Sequence, residues 1–99
     1  MSQFDVYASV GRSGRLVVDL QSDLLEPMAT RVVAPLFPKG ETPVLTELTP
    51  QVRLDGRDFV VMIPLMASIP AHELRRPVGS LASDQDVIKR ALDILFLGF

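Results

Sequence analysis

Gln3-Phe4-Asp5-Val6-Tyr7 alternates polar and apolar residues, the period of two expected of a half-buried strand. Val10-Gly11-Arg12-Ser13-Gly14 has turn chemistry, and Arg15-Leu16-Val17-Val18-Asp19-Leu20 resumes as a β-branched strand, so residues 3–20 are predicted to form a hairpin. A further strand, Thr30-Arg31-Val32-Val33-Ala34, is predicted to stop at Pro35, which has no N–H for a central ladder. Pro, Gly and Thr then dominate from Leu36 to Pro50, which predicts a surface loop. Gln51-Val52-Arg53-Leu54 and Arg57-Asp58-Phe59-Val60-Val61-Met62-Ile63 flank Asp55-Gly56, a dipeptide suited to the type I′ turn of a two-residue hairpin. Short extended pieces are expected between Pro64 and Pro70 and around Val78-Gly79-Ser80-Leu81.

The period changes near the end. Val87, Ile88, Ala91, Leu92 and Leu95 recur at helical spacing, predicting one amphipathic helix over 84–96. Ser83 is placed to cap it, with Asp86 three residues on, close to a capping box. Asp86, Lys89, Arg90 and Asp93 fall on the opposite side, where Asp86 and Arg90 form a favourable i,i+4 pair. Leu95 and Phe96 are expected to end the packed part of the helix. Leu97 follows Asp86, Arg90 and Asp93 in phase and so points outward. Gly98 is suited to terminate the helix at positive φ, with Phe99 beyond it. The sum is a mainly β protein closed by one C-terminal helix.

Composition narrows the function classes. The chain has 99 residues, 47% of them apolar and 22% charged, which predicts one globular domain over 1–99. An apolar surplus in so short a chain suggests burial by association, hence a homodimer. The absence of cysteine excludes disulfides and thiol chemistry, and the single His72 leaves no histidine cluster for zinc. A net charge of −2 argues against a general phosphate-binding surface, so no direct nucleic-acid binding is expected. The N-terminus lacks the pattern of a signal peptide, and no apolar run reaches the ~18 residues needed to cross a bilayer. A cytoplasmic protein is therefore expected.

Catalytic chemistry is sparse. His72 has no nucleophile or orienting acid nearby in sequence, and Ser22-Asp23 fits a strand end better than a nucleophile. Gly11 and Gly14 lie in a hairpin rather than a phosphate loop. The acids lack metal-loop spacing, so no metal or other cofactor is expected. Small β barrels can cleave RNA with basic and acidic groups, which keeps Arg12, Arg31, Asp19 and Asp23 in view. For Leu24-Leu25, core packing and partner contact stay equally open. The outward Leu97 and the terminal Phe99 point to a protein interface.

Several stretches, in order, resemble the CcdB family of toxins. They are Gln3-Phe4-Asp5-Val6-Tyr7, the block from Val18 to Leu25 (VDLQSDLL), Arg31-Val32-Val33-Ala34-Pro35-Leu36, Met66-Ala67-Ser68-Ile69-Pro70, Asp86-Val87-Ile88-Lys89-Arg90-Ala91, and the final Gly98-Phe99. The resemblance implies an SH3-like antiparallel barrel with a small accessory sheet and one C-terminal α-helix, assembled as a homodimer. It implies a non-enzymatic toxin that binds the dimerisation arms of the gyrase A subunit and traps the cleaved gyrase–DNA complex. It also implies a CcdA-like antitoxin that strips the toxin from gyrase and with it autoregulates transcription. The positions matching the family's gyrase contacts are Leu24, Leu25, Asp93, Leu97, Gly98 and Phe99. Leu97 stands where well-known members carry tryptophan, and Asp93 where they carry asparagine. Two other readings remain: a relative with weak or no poisoning, kept for antitoxin binding, and a MazF-type RNA endonuclease on a related barrel. For the antitoxin, the hairpin loop from Ala8 to Arg15 is the expected contact.

Overall fold

Strand β3, Thr30–Pro38, organises the molecule. In a computed structural model that describes residues 2–10 and 14–98, it is the element that all parts of the sheet share. One side of β3 pairs with β2, Arg15–Asp19, through Val17↔Pro35, Val18↔Ala34 and Asp19↔Val33. Its other side pairs first with β6, Ala67–Pro70, over residues 30–33, and then with β5, Arg57–Val61, over residues 36–38. Strand β1, Asp5–Val10, follows β2, and β7, Pro77–Ser80, follows β1; all these pairings are antiparallel. Strand β4, Gln51–Leu54, completes a three-stranded accessory part, β3-β5-β4.

The predicted stop at Pro35 is corrected by this pairing. Pro35 lies where one side of β3 passes from β6 to β5, between Val33↔Ala67 and Leu36↔Val61. Its carbonyl accepts from Met62 N–H at 2.9 Å, so its missing donor faces the same junction, where no ladder bond is needed. The loop expected from Leu36 therefore begins only after Pro38, and it contains a 3-10 turn, Thr46–Leu48. The hairpin at Asp55-Gly56 is as expected: both residues have positive φ, 51° and 77°, as a type I′ turn requires. Strand β1 starts at Asp5 rather than Gln3, because Phe4 takes φ 73° to bury its ring. Phe4 N–H donates to the Asp19 carbonyl at 2.7 Å, and its own carbonyl accepts from Leu81 at 2.8 Å.

Alternation along the strands makes two cores. Val6, Val18, Leu20, Ala34, Leu36, Phe59, Val61 and Ile63 face a larger one, closed by Ile88 and Ala91 of the helix. Tyr7, Val17 and Val33 form a smaller one on the other face, covered by Leu74. The sheet curls until its ends approach: a Cβ built on Gly79 of β7 would lie 2.7 Å from Leu54 Cδ1 of β4. The result is an SH3-like half-barrel with one C-terminal helix, α1, Gln85–Leu97.

The helix starts differently from the expectation. Ser83 already lies inside a 3-10 turn, Ala82–Asp84, so the cap falls on Asp84 and no side chain makes a cap hydrogen bond. Arg90 pairs with Glu47 at 3.0 Å, tying α1 to the 46–48 turn, rather than with Asp86. No described helix is long and apolar enough to cross a membrane.

Candidate interaction surfaces

Two exposed apolar surfaces stand out, and each is built by the polar residues around it. The first follows β2. Gln21 is buried, and its side chain reaches three backbone groups: Nε2 donates to the carbonyls of Thr30 and Leu25 at 3.2 and 3.3 Å, and Oε1 accepts from Val32 N–H at 3.1 Å. Asp19 Oδ1 accepts from Gln21 N–H at 3.0 Å, while its Oδ2 accepts from Arg31 Nε at 3.1 Å and from Nη2. Arg31 Nη2 also donates to the Gln21 carbonyl at 3.2 Å. Ser22 Oγ caps the 3-10 turn Asp23–Leu25 by accepting from Leu24 N–H, and Asp23 Oδ1 accepts from Gln3 N–H at 2.7 Å.

All the polar residues of the QSD block are thus engaged in holding the turn. What it presents is apolar: Leu24 is 91% exposed, Leu25 47% and Met28 50%. Neither Leu24 nor Leu25 is part of the core of this chain.

The second surface is the last turn of α1. Gly98 takes φ 79° and donates its N–H to the Ile94 carbonyl at 3.0 Å, the left-handed helix end expected from the sequence. Asp93 and Leu97, four residues apart, share the outward face, and Leu97 is 62% exposed. Phe96 corrects the expectation of a packed helix end: it is 68% exposed, and Leu95 is 38% exposed. The helix rests on the 3-10 turns at 46–48, 63–65 and 82–84, and its apolar stripe is fully covered only as far as Ile88 and Ala91. The run of four large apolar residues, 94–97, cannot all face one side of a helix, but it does not say that Phe96 is the one left out. Phe99 lies outside the described residues, as do Gly11, Arg12 and Ser13 of the hairpin loop assigned to the antitoxin.

The structure brings Asp93, Leu97 and Gly98 together, and separately Leu24 and Leu25. Among the described residues, no hydrogen bond or ion pair joins the two surfaces.

The residues considered for RNA cleavage are placed elsewhere. Asp19 and Arg31 are both fully buried and bonded to each other, which leaves neither able to reach a polynucleotide. Asp23 is engaged with Gln3, and His72 is exposed on a 3-10 turn, Ala71–Glu73. Among the described residues no group of three or more His, Cys, Asp or Glu is placed to hold a metal ion. Tyr7, buried beside this pair, has its phenol pushed above the ordinary 10.0. Burial contributes most, Asp5 and Asp19 add to it, and Arg31 opposes.

A model of the family described as CcdB protein matches residues 3–98. Among solved structures, the chain is similar to the Mycobacterium tuberculosis toxin MazF-mt6, with a TM-score of 0.76 at 22% identity. That alignment covers 93% of this chain and 95% of the other. It is also similar to a second structure described as an Mtb toxin, with a TM-score of 0.65 at 20% identity over 85% of this chain and 96% of the other. At these identities the structural likenesses concern the fold.

Proposed function

The chain belongs to the CcdB family of toxin–antitoxin toxins, and from that premise we propose that it poisons DNA gyrase by docking on the dimerisation arms of the A subunit. Exposure at the family's contact positions carries this reading, with Leu24 at 91% and Leu97 at 62%. In a lone protomer such side chains gain nothing from standing in water. Seated in a socket, each contributes about 1.5–3 kcal/mol, at the centre of an interface where a few side chains dominate. Gly98 ends the helix at φ 79°, and the resemblance to the family extends the proposed plug to Phe99.

Leu97 gives up the cation–π term, about 0.5–2 kcal/mol, that a tryptophan could make with a facing arginine. Phe96 restores an aromatic face one residue away, at 68% exposure. Asp93, in the place of asparagine, adds a negative charge beside Leu97, which favours a basic surface on the partner. The toxin acts as a homodimer and, with a CcdA-like antitoxin, as part of an autoregulated operon in the cytoplasm. It acts by binding, not by catalysis; the burial of Asp19 and Arg31 speaks against an RNA endonuclease built on them.

Calorimetric titration of the protein into a gyrase A dimerisation-arm fragment tests the proposal. Binding by the full chain, lost on deleting Leu97 to Phe99 with the far-UV spectrum unchanged, is the expected result. Equal binding by the truncated chain would overturn the assignment of the plug. Tight binding to the antitoxin with none to the arm would establish instead a relative that no longer poisons gyrase.

A further inference from the structure

We propose that the connection between β6 and β7 docks an acidic, apolar-anchored linear segment of a partner protein through Arg75 and Arg76. Strands β6 and β7 lie at opposite edges of the five-stranded part of the sheet, so residues 71–76 cross its second face as a strap. Leu74, 4% exposed, pins the strap to Tyr7, Val17 and Val33. Ala71 N–H donates to the Ala29 carbonyl at 2.8 Å, and Leu74 N–H to the Ala71 carbonyl at 3.1 Å. Pro70 and Pro77 fix φ at either end. The strap is therefore held in place before any partner arrives.

Its charges are unspent. Arg15, Arg53 and Arg90 on the surface each pair with a carboxylate of this chain, Glu41, Asp58 and Glu47 respectively. Arg75 and Arg76 are exposed and, among the described residues, have no ion pair or hydrogen bond. Glu73, the one acid of the strap, forms no ion pair with either, and His72 is exposed beside it. Two adjacent guanidinium groups offer planar, bidentate donors suited to carboxylates.

The choice of an acidic protein segment over nucleic acid follows from the surroundings. The chain carries a net charge of −2, and phosphate-backbone binding requires an extended basic surface. Here a short basic cluster is followed by an exposed apolar group. Val78, two residues after Arg76 at the start of β7, is 47% exposed. That combination fits a segment that alternates acids with an apolar anchor.

The test uses the full chain and a fluorescein-labelled dodecapeptide of alternating Glu pairs and Leu, read by anisotropy. Binding is expected at about 50 mM salt and should weaken steeply as salt rises. Arg75→Glu with Arg76→Glu should weaken it about tenfold or more, and Arg75→Gln with Arg76→Gln about threefold. Arg53→Glu, at an arginine already paired, should leave it within about twofold. Equal loss with Arg53→Glu would show non-specific attraction and overturn the proposal, as would no binding at low salt. A labelled DNA duplex bound more tightly than the peptide, in a manner dependent on Arg75 and Arg76, would overturn it in favour of nucleic acid.

Discussion

Replacing Arg31 with alanine should unfold much of what the sequence block around Gln21 builds. The guanidinium is fully buried, as is the Asp19 carboxylate it pairs with. Without it, Asp19 Oδ2 loses the donors Nε and Nη2, and the Gln21 carbonyl loses its bond to Nη2. Asp19 Oδ1 keeps one backbone donor, Gln21 N–H, which is too little for a buried anion. Breaking a buried pair from one side costs about 3–5 kcal/mol, a large share of the ~5–15 kcal/mol that holds a domain folded. With a urea slope of about 1–2 kcal/mol per M, the midpoint should fall by about 1.5–5 M. Urea titration followed by circular dichroism, at fixed protein concentration, measures it. Asp19→Leu with Arg31→Met removes both charges and should recover at least about half of the loss. A midpoint for Arg31→Ala within about 0.3 M of the parent, or a double variant no better than the single one, would refute the argument. The same reasoning applies to toxicity: growth arrest abolished by Arg31→Ala would report unfolding, not a missing catalytic arginine.

Tyr7 is the only tyrosine and there is no tryptophan, so absorbance near 295 nm titrates it alone. Its midpoint should lie above 10.0 in the folded protein and return towards 10.0 in urea. Because the folded value is raised, the associated stability is complete below pH 10.0 and is lost as pH climbs through the folded value. Gly79→Ala places a methyl group 2.7 Å from Leu54 Cδ1, where β4 and β7 close the barrel. Because the clash is with the movable end of a side chain, it should cost about 1 kcal/mol by thermal melting, with part regained by adding Leu54→Val. Leu24→Ser, at a residue 91% exposed, should leave unfolding within about 0.5 kcal/mol while weakening binding to the gyrase arm fragment; a matching loss of stability would make Leu24 structural.

The sequence showed strands and hairpins well where local rules decide them. Asp55-Gly56 specifies its own turn, and Gly98 its own helix end, whatever surrounds them. Pro35 misled because its tolerance depends on which neighbour occupies each side of β3, and that is settled only by the whole sheet. The Ser83 cap failed for a related reason, since the chain enters the helix through a 3-10 turn set by packing. At the surfaces, Leu97 was legible from helix phase alone. Phe96 was not, because its exposure follows from where the supporting turns stop. Asp19, Gln21 and Arg31 look like surface residues by type, and only their mutual bonds show how they can be buried.

The wiring around Gln21 also supports the two apolar surfaces differently. Leu24 stands on a turn whose neighbours are held by side-chain bonds at Thr30, Leu25 and Val32, so the turn is shaped before any contact. The end of α1 is held by its backbone cap, with Phe96 and Leu97 mostly exposed. A complex made through both would join an anchor fixed by side-chain bonds to a latch fixed by its backbone cap.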